Sequence, residues 1–398
     1  MNTPYGHLSY CSNIHPGEDW KEHFAVLQKS IPEIKAQVCP NAPMGIGLRL
    51  ANQASIDLSE PQNFETFQQW LTTNECYVFT MNGFPFGNFH HTVVKDKVHA
   101  PDWTTQERVD YTIRMFRLLA RLLPDNLSEG GISTSPLSYR FWWETPESLE
   151  EATRIATQNM ITVVEVLMEL KASSGKILHL DIEPEPDGIL ENSEEYINWY
   201  KDYLLPLGIK HLQNKGLSAE QATEAIKTHI QLCYDVCHFA VGFESPENVI
   251  AKLDAEQLKV GKIQISSALK VDFSSQAEEK LSVIAQYNEP VYLHQVVAQK
   301  HDGSFVKYPD LNEAIAGFNT DISSWRVHFH VPLFLEQYGL IGSTQADIVN
   351  TLNVHKNKPF TQHMEVETYT WGVLPKEFQA PLNDSIVREI KWVKGILK

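Results

Sequence analysis

The sequence predicts an α/β fold, a closed (β/α)8 barrel in which eight strands alternate with helices. Two observations support this class. Apolar runs of strand length alternate eight times with helical patterns along 398 residues, as expected for parallel βαβ units. An open doubly wound sheet, the competing architecture, would be expected to carry a glycine-rich phosphate turn after an early strand, and the sequence has none. We therefore expect a barrel.

The predicted elements follow from apolar periodicity and from turn residues at their ends. The predicted strands are residues 8–14, 44–50, 77–81, 131–137, 177–183, 230–236, 262–267 and 364–370. The predicted helices are residues 19–34, 64–71, 104–123, 146–170, 193–204, 218–229 and 385–397. The first run ends at His15-Pro16-Gly17, and the third ends at Asn82-Gly83-Phe84, before a loop with His90 and His91. Thr104 or Thr105 is a suitable N-cap for the third of these helices.

One stretch does not fit the eight repeats. Apolar runs at 291–298 and 304–308 flank His301-Asp302-Gly303, which predicts a β-hairpin turn, and residues 327–331 form a further apolar run. We interpret residues 287–333 as a β-hairpin insertion between strands 7 and 8, folded over the barrel mouth. The expected organisation is a single TIM-barrel-sized domain, 1–398, carrying this insertion.

Composition excludes some functional classes. The chain has 50 acidic and 33 basic side chains, a formal charge of −17, which disfavours a general nucleic-acid binder. It has no apolar stretch long enough for a membrane span, and residues 1–15 lack the pattern of a signal peptide. The five cysteines are scattered, without CxxC spacing, as expected in a reducing compartment. We expect a cytoplasmic protein.

The fifth strand ends in a pattern typical of barrel active sites, KILHLDIEPEP at residues 176–186. Asp181 and Glu183 share a face of an extended chain, and Pro184 and Pro186 cannot continue a strand ladder. Glu183 therefore lies at the carboxyl end of a buried strand, where barrel enzymes place their chemistry. Many barrel strands end in an acid without being catalytic, so this motif alone does not decide the function.

Three later strands also end in polar side chains. Asp235 and His238 lie in YDVCHFA at the sixth strand, Gln264 lies in IQI at the seventh, and Glu367 lies in EVET at the eighth. A loop-capping aspartate, a core histidine and a hydrogen-bonded glutamine are the structural alternatives. Three carboxylates converging on one axis would repel each other, and a divalent cation would remove that repulsion. Oxygen ligands favour Mg²⁺ or Mn²⁺.

The order of these motifs resembles the xylose-isomerase-like TIM-barrel superfamily of sugar isomerases and epimerases. The IQI form is most similar to its hydroxypyruvate-isomerase branch. Over the whole chain, including LHQV, VHFHVP and EVETYTW, the sequence resembles the metabolite-traffic EboE family. This resemblance implies a pathway that makes or exports a secondary metabolite, with partner proteins in that pathway.

The resemblance also implies roles for single residues. Glu183, Asp235, Gln264 and Glu367 would bind the metal, and Glu183 and Glu367 would move a proton between adjacent carbons. His238 would contact a substrate oxygen and counts as a third catalytic residue. The alternative to Gln264 is a histidine ligand from the insertion, His330 or His328, and His330 as ligand would make Zn²⁺ suitable.

We assign further residues to substrate binding. They are His330, Glu185, Asn82, His15 and Trp371. Aromatic side chains also follow several strands: Phe84, Phe141, Trp142, Trp143, Tyr369 and Trp371. If several of them line the pocket, the substrate carries a flat or apolar portion.

We therefore predict a divalent-metal-dependent isomerase or epimerase that acts on a small hydroxy-carbonyl metabolite by proton transfer. A binding or carrier protein on the same barrel is the main alternative, since fold does not fix function. A metal-dependent phosphodiesterase is a third, disfavoured by the negative charge and by an expected scarcity of histidine ligands. No cofactor other than the metal is expected.

Overall fold

The structure, a computed structural model, describes residues 1–87, 89 and 92–398. Its main sheet contains eight parallel strands, which confirms the predicted fold class. These barrel strands, numbered first to eighth, are Gly6–Tyr10, Met44–Arg49, Cys76–Asn82, Glu129–Thr134, Ile177–Ile182, Ile230–Asp235, Val260–Ile265 and His363–Val366. Each overlaps one predicted strand. A ninth strand, Asn2–Thr3, pairs antiparallel with the first.

The barrel closes around its first strand. Val366 in the eighth strand pairs with Tyr10, and a parallel bridge between Cys11 and Gly47 joins the first strand to the second. A Cβ atom on Gly47 would lie 1.9 Å from a carboxylate oxygen of Glu365. Glycine is therefore required at this position for the second strand to pass beside the buried carboxylate.

Helices surround the barrel, as the amphipathic patterns predict. The α-helices are Trp20–Val38, Asn52–Ser59, Pro61–Thr73, Gln106–Leu122, Pro146–Ser174, Ser193–Trp199, Leu205–Asn214, Ala219–His229, Val236–Val241, Pro246–Ala255, Ala277–Ile284, Leu311–Ala316, Gln345–Asn357 and Leu382–Ile396. The 3₁₀ turns are Ser12–Ile14, Lys95–His99, Arg140–Trp142, Ala285–Tyr287 and Lys376–Phe378, and Tyr200–Leu204 is a π-helical turn.

The longest helix, Pro146–Ser174, has strong signals at both ends. Thr145 and Ser148 form a capping box, and Pro146 occupies the first turn, where its missing N–H costs no hydrogen bond. Gly175 ends the helix in the left-handed conformation, with a φ of 73°. These local signals explain why this helix is recognisable from sequence.

A second, antiparallel sheet lies between the seventh and eighth barrel strands in sequence. In spatial order its strands are Phe305–Tyr308, Val296–Lys300, Ile322–Val327, Leu269–Asp272, Ile341–Ser343 and Gln337–Tyr338. After the Ile322–Val327 strand, Val331 donates its N–H to the Ser267 carbonyl at 2.9 Å, next to the end of the seventh barrel strand. This sheet takes strands from outside residues 287–333, so the bounds of the predicted insertion, and the single domain over 1–398, stay predictions.

A layer of buried charges fills the barrel interior. Lys262 Nζ donates to the Met81 carbonyl, to Ser133 Oγ and to Glu365 Oε1, each at 3.1 Å. Asp181 lies beside it and bonds His179 at 2.6 Å, while burial raises the pKa of the Asp181 carboxyl. Asp181 therefore belongs to this internal network.

Candidate active site and metal centre

A cavity opens at the carboxyl ends of the barrel strands, where such enzymes carry their sites. Its floor is polar and its outer wall is largely apolar. The lining residues are Asn13, Asn82, Phe84, Pro85, Phe89, Val94, Lys95, Val98, His99, Glu183, Glu185, Tyr292, Leu293, Gln295, His238, His328, His330, Glu367 and Tyr369. Most sequence-predicted site residues are therefore at this cavity.

Three acidic side chains from the ends of three barrel strands meet at the base of the cavity, where Glu183 and Glu367 line it and Asp235 lies buried next to them. Glu183, Asp235 and Glu367, here called the carboxylate cluster, offer ligand oxygens within 4.8 Å of one another, and all three are buried. Burial, followed by Glu367 and Asp235, raises the pKa of Glu183 well above its usual value. Burial and Asp235 likewise raise the pKa of Glu367. The cluster is thus the electrostatically costly arrangement that a cation would neutralise.

Amide side chains hold Glu367 in place. Asn13 and Asn82 donate to Glu367 Oε1 at 2.8 and 3.0 Å, and Gln264 donates to Oε2 at 2.8 Å. Three N–H donors fix the orientation of the Glu367 carboxyl group. Asn82 thus lies at the site as predicted, but in the structure it contacts Glu367.

The geometry offers an alternative to the predicted role of Gln264 as a metal ligand, which stays a prediction. The Cys233 thiol donates to Gln264 Oε1 at 2.6 Å, so the amide oxygen that would ligate the metal is already bonded. The amide nitrogen faces Glu367, and rotating the amide would turn its oxygen toward a carboxylate. Gln264 is therefore placed to orient Glu367.

Asp235 and His238 are linked by a short helix that the sequence did not predict. Asp235 is the N-cap of Val236–Val241, and its Oδ1 accepts from the His238 N–H at 3.1 Å and from Ser266 Oγ at 2.7 Å. Asp235 is therefore a capping residue, as one of the structural alternatives predicted. Capping the helix does not prevent Asp235 from belonging to the carboxylate cluster. The helix directs His238 toward the cavity.

Three histidines, His238, His328 and His330, form a second group that we call the histidine triad. Each Nδ1 lies near an acceptor oxygen: the Pro184 carbonyl for His238 (3.1 Å), Gln295 Oε1 for His328 (2.8 Å) and the Glu367 carbonyl for His330 (3.1 Å). An oxygen that only accepts requires the proton on Nδ1, so the Nε2 atoms carry lone pairs in the neutral rings. Burial lowers the pKa of His238 and of His328, which favours these neutral forms.

This donor set fits a divalent metal. Asp235, His238 and His330 offer ligand atoms within 4.8 Å of one another, as do Glu185, His238 and His328. Within the described residues, His330 Nε2 and Glu183 Oε2 are buried and have no hydrogen-bond partner. Histidines fixed through Nδ1 are the usual form of metal ligands. The site therefore offers more candidate histidine ligands than the sequence analysis expected.

Of the other residues that we predicted to bind substrate, one lines the cavity and two lie in the surrounding core. Glu185 lines the cavity and contacts His99 Nε2 at 3.0 Å. His15 lies against the Tyr10 hydroxyl at 2.8 Å, and Trp371 stacks near Phe334 with ring centroids 6.3 Å apart.

Neither His15 nor Trp371 is among the residues that line the described cavity, so their assignment to substrate binding stays a prediction. His15 follows the first barrel strand and Trp371 follows the eighth, and both side chains are buried in the core. His90 and His91 lie outside the described residues.

The sequence analysis missed several cavity residues, chiefly Asn13, Gln295 and Tyr292. Asn13 follows the first barrel strand, and its position as a polar residue near a strand end is the sequence feature that could have identified it. Gln295 and Tyr292 come from the segment before Val296–Lys300, and apolar periodicity does not reveal that it folds against the barrel mouth.

Comparisons with known proteins agree with this architecture. A xylose isomerase-like TIM-barrel protein from Mycobacterium smegmatis, in complex with magnesium, is 10% identical with a TM-score of 0.50, covering 100% of this chain and 98% of the other. A D-tagatose 3-epimerase-like protein is 9% identical with a TM-score of 0.50, covering 98% of this chain and 97% of the other. The chain has the fold of xylose isomerase-like TIM barrels. No protein-family model and no curated protein sequence matches it.

None of the helices in the described part of the chain combines the length and the apolar character that a membrane span requires.

Proposed function

We propose that this protein is a divalent-metal-dependent isomerase or epimerase that moves a proton between adjacent carbons of a small hydroxy-carbonyl metabolite. The observation that carries the proposal is the carboxylate cluster at the floor of the cavity, where Glu183, Asp235 and Glu367 offer oxygens within 4.8 Å of one another. Such a cluster combines a metal site with carboxylates able to transfer protons.

The metal would be held by the carboxylate cluster, with nitrogen ligands from the histidine triad in place of Gln264. A bound divalent cation would polarise a substrate carbonyl or hydroxyl oxygen as a Lewis acid. Mixed oxygen and nitrogen donors suit Mn²⁺ or Zn²⁺ as well as Mg²⁺. The magnesium bound by the Mycobacterium smegmatis protein of the same fold is consistent with this.

The two glutamates have different surroundings and hence different roles. Glu367 accepts three amide N–H groups, so it is fixed in orientation and suited to anchoring. Glu183 has one oxygen 3.7 Å from His238 Nδ1 and its other oxygen, among the described residues, without a partner. We therefore assign to Glu183 the transfer of the substrate proton, at its carboxylate oxygen, and to His238 the contact with a substrate oxygen.

The amide donors fix the orientation of the Glu367 carboxyl group. Asn13 and Asn82 hold one oxygen of Glu367 at the cavity wall, which fixes where a substrate can approach. Glu185, opposite His99, supplies a further polar contact for the substrate. Positioning of this kind is where much of the rate enhancement of enzymes arises.

The sequence resemblance to the metabolite-traffic EboE family supports a wider setting for this reaction. We assign it to a cytoplasmic step in the production or export of a secondary metabolite, alongside partner proteins of that pathway.

The test is deuterium exchange. Protein loaded with Mn²⁺ or Zn²⁺ is incubated in heavy water with a panel of ketoses and hydroxy-ketoacids, and deuterium at the carbon beside the carbonyl is followed by mass spectrometry. We expect exchange with at least one compound, lost in Glu183→Gln. Tight binding without exchange for the whole panel would instead support the carrier alternative.

A further inference from the structure

The cavity has an apolar outer zone that the proton-transfer chemistry does not explain. Three rings at its mouth contact one another: the centroids of Phe89 and Tyr292 are 5.5 Å apart, those of Phe89 and Tyr369 5.2 Å, and those of Tyr292 and Tyr369 5.1 Å. We call these three residues the aromatic collar. Phe89 and Tyr292 form, with Val94, a small apolar cluster separate from the main core. The collar is thus a packed apolar cluster at the cavity mouth.

The collar lies next to the metal-binding residues. The Tyr369 ring packs on His330 with centroids 4.7 Å apart, and the Tyr292 hydroxyl donates to the Phe89 carbonyl at 3.2 Å. The hydroxyl of Tyr292 is therefore used within the protein, and its ring remains as apolar lining. A molecule bound at the floor would extend into this zone.

Among the described residues, few polar side chains in this zone could bind the hydroxyl groups of a long polyol. Phe84, Val98 and Leu293 continue the apolar lining. Lys95 is the charged side chain among the described residues at the rim, and Asp310 already binds it at 2.6 Å. Sugar hydroxyls placed here would lose hydrogen bonds to water without replacement, whereas a flat apolar group would gain by leaving water.

We propose that the substrate consists of a hydroxy-carbonyl head group joined to an aromatic or similarly flat apolar ring. This inference rests on the proposed function: the head group lies at the carboxylate cluster and histidine triad, and the ring packs against the cavity face of the aromatic collar. The preferred substrate class is accordingly an aryl-substituted hydroxy-carbonyl compound, and a free sugar is a poor ligand.

A matched pair of ligands tests this inference. Acetohydroxamate and benzohydroxamate chelate a divalent ion through the same two oxygens and differ in carrying a methyl or a phenyl group. Binding of each to Mn²⁺-loaded protein is measured by calorimetry. We expect benzohydroxamate to bind at least about tenfold more tightly, as burial of a phenyl ring implies.

A variant then tests whether the aromatic collar causes the difference in affinity between the two hydroxamates. Tyr292→Ala is expected to weaken benzohydroxamate binding about fivefold or more while leaving acetohydroxamate binding unchanged, since it removes apolar lining and no ligand atom. Phe305→Ala is the matched control, because Phe305 is an exposed aromatic residue on the second sheet, outside the cavity. The comparison on the unaltered protein stands even if Tyr292→Ala does not fold.

The outcomes distinguish the two proposals. Equal affinity for the two hydroxamates, or equal weakening of both in Tyr292→Ala, overturns the assignment of the substrate class and leaves the metal site intact. Failure of both hydroxamates to bind protein that retains its metal overturns the proposed function, on which the inference rests.

Discussion

The Nε2 atoms of His238 and His328 face each other across 3.1 Å. Because both Nδ1 atoms lie near acceptor oxygens, the Nε2 lone pairs of the two neutral rings face each other, and either a proton on one ring or a cation beside both nitrogens removes their repulsion. Rings arranged in this way gain from a shared metal ion, which accepts both lone pairs. This relationship supports including the histidine triad in the proposed metal centre.

The first prediction concerns the residue that fixes His328. Gln295→Leu removes the acceptor of the His328 Nδ1–H, so the ring can rotate or change tautomer, and we expect metal affinity to fall about tenfold. Competition with a chelating dye measures it. Gln299→Leu, on the strand Val296–Lys300 that directly follows Gln295, is the control and should bind the metal normally. Unchanged affinity in Gln295→Leu would show that His328 is not part of the centre.

A second prediction compares the two candidates for the fourth ligand. His330→Ala removes a buried Nε2, whereas Gln264→Ala removes a side chain that contacts Glu367 and Cys233. We expect a loss of metal affinity of about tenfold or more for His330→Ala and a smaller loss for Gln264→Ala. Metal analysis after dialysis against graded chelator gives the order. The reverse order would restore Gln264 as the ligand.

A third prediction concerns the repulsion within the carboxylate cluster. The pKa of Glu183 is raised in the folded protein, so the folded state keeps a proton that the unfolded chain loses, and stability falls as the pH rises above about 4. Glutamine mimics the protonated acid. In chelator at pH 8, Glu183→Gln should therefore unfold at a higher temperature than the unaltered protein, and the difference should shrink at pH 5.

Its control is Glu169→Gln, which makes the same charge change at an exposed position on the long helix Pro146–Ser174. Glu169→Gln should leave the melting temperature nearly unchanged. Added Mn²⁺ should stabilise the unaltered protein more than Glu183→Gln. If Glu183→Gln melts earlier in chelator at pH 8, the carboxylates do not repel each other as the structure implies.

A fourth prediction concerns the buried charges of the barrel interior. Lys262→Met leaves Glu365 as an uncompensated buried carboxylate, and we expect a loss of roughly 3–5 kcal/mol in the free energy of unfolding. Urea denaturation measures it. The double variant Lys262→Met/Glu365→Leu should recover part of the loss, whereas the exposed Lys391→Met should have little effect. A double variant as unstable as the single one would show that the charge pair is not the cause.

The eight barrel strands could be predicted because each is a buried apolar run, and the order of parallel strands follows the chain. Glu183 and Glu367 could be placed because a strand end fixes the position of the side chain that follows it. The hydrogen-bond partner of Gln264 could not be predicted from the sequence. Cys233 lies on the neighbouring strand, and the register between the two strands is set by the whole barrel.

The histidine triad was harder to predict for a related reason. His238 and His328 are 90 residues apart, and the chain between them folds into an antiparallel sheet whose path no local pattern specifies. The position of Trp371 could not be predicted because aromatic residues after a strand are equally suited to the core, and here the ring packs near Phe334.

The second sheet has a consequence for how this barrel could be shortened or rebuilt. His328, His330 and Gln295 all reach the cavity from the chain that joins the seventh and eighth barrel strands. Excising that chain to obtain a minimal barrel would preserve the three acids and delete two of the three imidazoles, together with Tyr292. Under the proposed function, divergence within this single connecting stretch would therefore alter ion preference and ligand choice at once while the rest of the scaffold stays the same.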